Sequence, residues 1–203
     1  MMFFQDTRAV GLVFWIVVIL MLINAGMLLT EAFAKDMITV PDYVKDIRMY
    51  YLLIGIGSTL IGVVYAVIAH RIMSVRMTRI QVLRTYVAAV GMCAVIGGAF
   101  EGLAEYLYSD RTEFGITILA LSLVLGAMVM AIAAVIGNGK KGFMKKVIWV
   151  ILVVALLLMA VKSLIPSEEY WGIINNIAHL MIAFFMLVFI ADSDVRKDMG
   201  VIS

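Results

Sequence analysis

The stretch Gly11-Leu-Val-Phe-Trp-Ile-Val-Val-Ile-Leu20 holds no charged, amide or hydroxyl side chain, and it lies inside an apolar run over 9–33 that only Asn24, Thr30 and Glu31 interrupt. A helix rises 1.5 Å per residue, so about 20 such residues cross the ~30 Å of hydrocarbon in a bilayer. Five more runs of similar size follow, over 50–72, 85–108, 115–137, 147–164 and 170–191. Backbone amides surrounded by lipid must be paired within their own segment or in a closed barrel, and the period-2 alternation of barrel strands is missing from all six runs. The expected fold is therefore all-α: a polytopic six-helix transmembrane bundle forming one membrane domain over 1–203.

Composition points the same way. Hydrophobic residues make up 65% of the chain and the mean hydropathy is +1.09, against roughly 45–50% apolar residues in soluble domains. The connections are short, and the longest is 34–49. Ala32-Phe33-Ala34 resembles a signal-peptide cleavage site. However, the apolar stretch before it exceeds the 7–15 residues of a secretory core, and only Arg8 supplies an n-region charge, so the first run reads as a retained helix. Cys93, the only cysteine, falls within the third run, which excludes an intramolecular disulfide and fits a small apolar packing residue. The sixteen methionines scatter over nearly all segments, as lipid-facing filler does.

Six spans place both termini on one side together with the 2–3 and 4–5 connections. That face carries eleven of the sixteen basic residues and four of the fourteen acidic ones, a balance of +7, whereas the other face comes to −5. Positive charge in short loops is retained in the cytoplasm during insertion, so both termini are expected to be cytoplasmic. Arg71, Arg76, Arg79 and Arg84 are candidates for lipid headgroup contact, as an interfacial amphipathic continuation of the second helix that holds anionic lipids. The plainer alternative is that they only set topology. A voltage sensor would need the arginines along an embedded helix, and these lie in a connection.

Small residues recur at helical spacing: Gly91, Ala94 and Gly98 on the third helix in line with Glu101 and Glu105, Gly55, Ser58 and Gly62 on the second, and Ser122, Gly126 and Ala133 on the fourth. Lipid tails are as apolar as leucine, so helices associate in a bilayer through close contact, which small side chains permit. Polar groups within a span are costly, about 2.5–3.5 kcal/mol for a central charge, and mark function or pairing. They are Asn24, Glu31, Glu101, Glu105, Lys162, Asn175, Asn176 and His179. Counted from the outer ends of their runs, Asn24, Ser58, Glu101, Ser122 and Asn176 lie roughly 7–14 Å deep with His179 near the midplane, while the cytoplasmic halves of the first and sixth helices hold no charge.

This unequal polarity predicts a pocket open to the outside and sealed by an apolar cytoplasmic half. Glu101, His179, Asn175, Asn176 and Asn24 are its ligand- or ion-binding candidates. Glu105, Glu31 and Lys162 are candidates for gating or proton relay, or simply reach for the surface from shallower positions. The competing account is a dry hydrogen-bonded network that fixes helix packing. No phosphate loop, CxxC pair, GxSxG elbow or histidine-pair metal motif appears, so no catalytic or metal residues are assigned, and the sequence leaves any cofactor open. The function expected is small-solute or ion binding that serves transport, with the lipid bilayer, anionic lipids at the cytoplasmic face, and a homo-oligomer or other membrane subunits as partners, and no nucleic acid. The alternatives are a non-catalytic accessory subunit and an intramembrane enzyme using Glu101. In outline, though without a shared motif, such a chain resembles the substrate-binding membrane subunit of a vitamin importer.

Overall fold

The computed structural model describes residues 8–33, 42–138, 142–167 and 170–202. They form α1 (Arg8–Glu31), α2 (Ile47–Ser74), α3 (Arg79–Tyr108), α4 (Thr112–Gly137), α5 (Phe143–Ser163), α6 (Tyr170–Ile190) and a short α7 (Ser193–Asp198). The first six are long and apolar enough to cross a membrane, the architecture of a multi-pass membrane protein. Among the described residues there is no strand, only an isolated antiparallel bridge between Val44 and Ser109. The basic residues Lys140 and Lys141 and the acidic pair Glu168 and Glu169 lie outside the described residues.

Several helices start earlier than the apolar runs, because such runs mark the hydrocarbon while helix ends are set by capping. The largest difference is in α3, which begins at Arg79 instead of residue 85. Thr78 and Gln81 form a reciprocal capping box: Thr78 Oγ1 accepts from the Gln81 amide at 3.3 Å and Gln81 Oε1 accepts from the Thr78 amide at 2.9 Å. Asp46 caps α2 with a single bond, accepting from the Met49 amide at 3.1 Å. The basic connection is therefore divided between the ends of two helices and is not a single amphipathic extension of α2.

In the membrane plane the helices run in the order α5, α6, α1, α2, α3, α4, each packed on its neighbours, and α4 and α5 meet only marginally. The largest helix interface is between α3 and α4, where two glycine pairs face each other. A Cβ on Gly91 would stand 2.9 Å from the Gly126 carbonyl oxygen, and one on Gly126 would stand 2.8 Å from that of Gly91; Gly102 and Gly115 repeat the arrangement at 2.8 and 2.7 Å. Within each helix the two glycines are eleven residues apart (102 − 91 and 126 − 115), very nearly three turns at 3.6 residues each. Two antiparallel helices thus meet twice along one seam with backbones touching, the contact that lipid rewards.

The side carrying the 2–3 and 4–5 connections and α7, here the terminal face, is densely packed. Phe14 of α1 reaches the centre, 5.9 Å edge-to-face from Tyr86 of α3 and 6.2 Å from the Tyr65 ring of α2. Ile182, Met186 and Phe189 of α6 close around them with no exposure. The unforeseen α7 adds a plug: Val195 and Met199 are fully buried in the same core. Asp192 caps α7 and, with Asp194, pairs with Arg79 at the start of α3, the Arg79–Asp192 contact being 3.4 Å. Trp149 Nε1 donates to the Ile190 carbonyl at 3.0 Å and ties α5 to α6.

The glycine seam gives a direct prediction. A Cβ at Gly115 would meet only backbone, 2.6 Å from the Tyr106 nitrogen and 2.7 Å from the Gly102 oxygen, whereas at Gly26 nothing lies within 4 Å. Gly115→Ala is expected to lower stability by about 1–3 kcal/mol, the cost of overpacking. Gly26→Ala, inside a helix, should leave stability unchanged or slightly raised. Thermal or denaturant unfolding of the two variants in the same bicelles measures both.

Candidate binding site

On α1 the buried residues Val10, Phe14, Val17, Met21, Asn24 and Leu28 recur at steps of three and four and form one stripe. Phe14 fixes the direction of that stripe, since it touches rings on both α2 and α3 and so faces the bundle centre. Leu22 and Leu29 occupy a neighbouring face, fitted to Gly62 and Gly55 of α2. Asn24 lies on the same buried stripe about 15 Å, ten residues, above Phe14 on the side away from the terminal face, turned about 80° around the helix from it. It is only 6% exposed, and its Oδ1 has no hydrogen-bond partner among the described residues. A buried acceptor left unpaired costs about 1–3 kcal/mol.

The other candidates come from α3, α5 and α6. Glu101 on α3 is exposed, and Lys162, near the end of α5, is also exposed. Although α3 and α6 share no extended packing contact, the Lys162 ammonium is close enough to act electrostatically on both the Glu101 carboxyl and the His179 ring. His179 is half-buried, with a ring N–H donating back to the Asn175 carbonyl one turn earlier. Asn175 and Glu31 are half-buried as well. Among the described residues no three His, Cys, Asp or Glu side chains converge as metal ligands would.

Other candidates are occupied elsewhere. Glu105, one turn beyond Glu101, does not reach for the surface: it is 4% exposed and accepts from Tyr50 Oη at 2.9 Å through Oε1, while Ser109 Oγ lies 2.6 Å from Oε2. Tyr50 and Ser109 were not foreseen as partners, although Ser109 stands four residues on and Tyr50 opens the second apolar run at the same depth. Around this bond the connections on the face opposite the termini are clamped together. Lys45 donates its amide to the Tyr108 carbonyl and Asp110 donates to that of Tyr43, both at 2.8 Å, and the Arg111 guanidinium lies 3.6 Å over the Tyr43 ring. Glu105 thus belongs to a structural network.

Asn176 donates through Nδ2 to the Ile165 carbonyl at 3.0 Å and holds the α5–α6 turn. Ser122 Oγ donates to the Leu119 carbonyl at 3.0 Å, and its side chain lies against Gly98 in the α3–α4 seam, away from the centre. Of the four arginines considered for headgroups, Arg79 is engaged by Asp192 and Asp194, Arg76 is exposed, and Arg71 and Arg84 line a groove between α2 and α3. His70, exposed near the end of α2, has Nε2 3.2 Å from Ser74 Oγ.

No protein-family model, curated protein or solved structure matches this chain. The outline shared with vitamin-importer subunits therefore stands without a structural match, and the functional reading has to come from the side chains themselves.

The Glu105 network makes its own prediction. Glu105→Ala leaves Tyr50 without its acceptor and should cost about 1–3 kcal/mol, whereas Tyr50→Phe removes one donor and should cost about 1 kcal/mol. Because the two residues share one bond, the double variant should be less destabilised than the sum of the singles. A double-mutant cycle on unfolding in bicelles reads the coupling, and strict additivity would show that the bond contributes nothing.

Proposed function

We propose that this protein binds a small polar solute or ion in a pocket that opens on the face opposite the termini, and that this binding serves transport. The reading is carried by Asn24: a nearly buried amide carbonyl that no described group satisfies, on the buried stripe of α1. In a membrane core such an oxygen is expensive unless water or a ligand meets it. Glu101, Lys162 and His179 supply opposite charges and a titratable ring around the same outer region, and Asn175 adds a further amide. A pocket of this kind suits a solute with both donors and acceptors, or a cation balanced between the carboxylate and the ammonium.

The terminal half supports the same reading by contrast. Phe14, Tyr65, Tyr86, Ile182, Met186 and Phe189 fill it with apolar bulk. Passage through this half needs a second conformation, or an oligomer or partner subunit that completes the path. The charge balance of the connections supports a cytoplasmic terminal face and a pocket that opens outside.

The test is cysteine accessibility in a Cys93→Ala background, using sealed vesicles of known sidedness and a membrane-impermeant maleimide. Single cysteines at positions 24, 101 and 179 should react from the side opposite the termini and from that side alone. Cysteines at 182 and 186 should stay unlabelled from either side. Protection of positions 24 and 179 equal to that of 186 would show a dry packing network and favour an accessory subunit; in that case alanine at these positions would impair assembly instead of binding.

A further inference from the structure

We infer that the cleft between α2 and α3 near the terminal face is a specific binding site for an anionic phospholipid. The cleft is a groove of about 560 Å³. Its mouth is formed by Arg71 from the last turn of α2 and by Gln81 and Arg84 from the first turns of α3. No described carboxylate pairs with either arginine. Its walls are apolar, with Val67 and Met92 61% and 46% exposed.

Three features select a phospholipid over other occupants. The polar mouth lies at the helix ends, where the headgroup layer meets α2 and α3, and the apolar floor follows. From Gln81 to Met92 the groove runs eleven residues, about 16 Å, close to the half-thickness of a ~30 Å hydrocarbon layer, so one acyl chain spans its length. The charge at the mouth is held in place: the Arg84 side chain lies across Gly137 at the end of α4, where a Cβ would stand 2.7 Å from its Nε. That position also sets a guanidinium at a helix C-terminus, which favours positive charge. Two guanidiniums lining one groove match a phosphodiester through charge-assisted hydrogen bonds. Arg79, close by in sequence, is held by Asp192 and Asp194, so the four-arginine run divides into one structural member, two that bind lipid and the exposed Arg76.

The experiment is native mass spectrometry of the purified full chain in detergent, titrated separately with phosphatidylglycerol and phosphatidylcholine. The wild-type protein should retain phosphatidylglycerol preferentially, at one site. Arg71→Gln with Arg84→Gln should weaken that retention at least about tenfold, since each basic residue at a lipid surface contributes roughly fivefold. Arg71→Lys with Arg84→Lys should restore part of it. The double variant Arg76→Gln with Lys146→Gln removes the same charge outside the groove and should behave as wild type. Ala88→Phe, which fills the apolar wall without changing charge, should also lower retention. Equal losses in the two neutralised doubles would overturn the site by reducing it to net charge. Retention unaffected by Ala88→Phe would overturn the acyl-chain groove, as would competition by glycerol phosphate as effective as by the intact lipid. A dimer that forms as lipid is removed and is broken by Ala88→Phe would assign the groove to a second copy of the chain and overturn the proposal.

Discussion

In hydrocarbon a helix gains nothing by hiding leucine against another helix, so a membrane bundle coheres only where backbones come close or polar groups find partners. Both devices are used here, at different heights. The α3–α4 seam draws two backbones together at Gly91–Gly126 and again at Gly102–Gly115. The Tyr50–Glu105–Ser109 bonds lock α2 to α3 at the end away from the termini, and Arg79 with Asp192 and Asp194 fastens α7 under the terminal end. With α3 held between α2 and α4, and α6 between α1 and α5, α3 and α6 share no extended packing contact. Asn24 of α1 is buried with its Oδ1 unpaired among the described residues.

Glu101 and Glu105 show how much one helical turn decides. Residues four apart share a face only approximately, since four steps overshoot a 3.6-residue turn by about 40°. That rotation takes Glu105 into the contact with α2 and leaves Glu101 exposed. The deeper residue in sequence terms is thus the freer one, and the shallower one, which had every opportunity to reach water, is the structural member. Depth along a run therefore does not tell whether a carboxylate works or merely holds, because the partner comes from another helix.

The architecture was legible because hydrocarbon thickness and backbone satisfaction leave so few options: six runs near twenty residues gave six helices, and the small residues on α3 and α4 did meet each other. What was missed depended on termini and on neighbours. The Thr78–Gln81 capping box was present in the sequence but lay outside the apolar count, so α3 began six residues early. The terminal segment 193–198 has no apolar run, and its helix rests on the Asp192 cap and on burying Val195 and Met199 beneath the bundle. Asn176 lay in the expected polar layer, yet its amide serves the α5–α6 turn, a role set by where Ile165 places its carbonyl. Pairings between helices cannot be read from periodicity within one.

The central claim is that the bundle is wet around Asn24 and dry around Phe14 and Met186. Water-edited solid-state NMR of isotope-labelled protein in lipid bilayers measures this directly, through the rate at which water magnetisation reaches each site. Rapid transfer to the Asn24 side-chain amide and the His179 ring, with little reaching Phe14, Ile182 and Met186, is the expected result. Transfer to Asn24 as slow as that to Met186 would contradict the account and leave a packed bundle with no pocket.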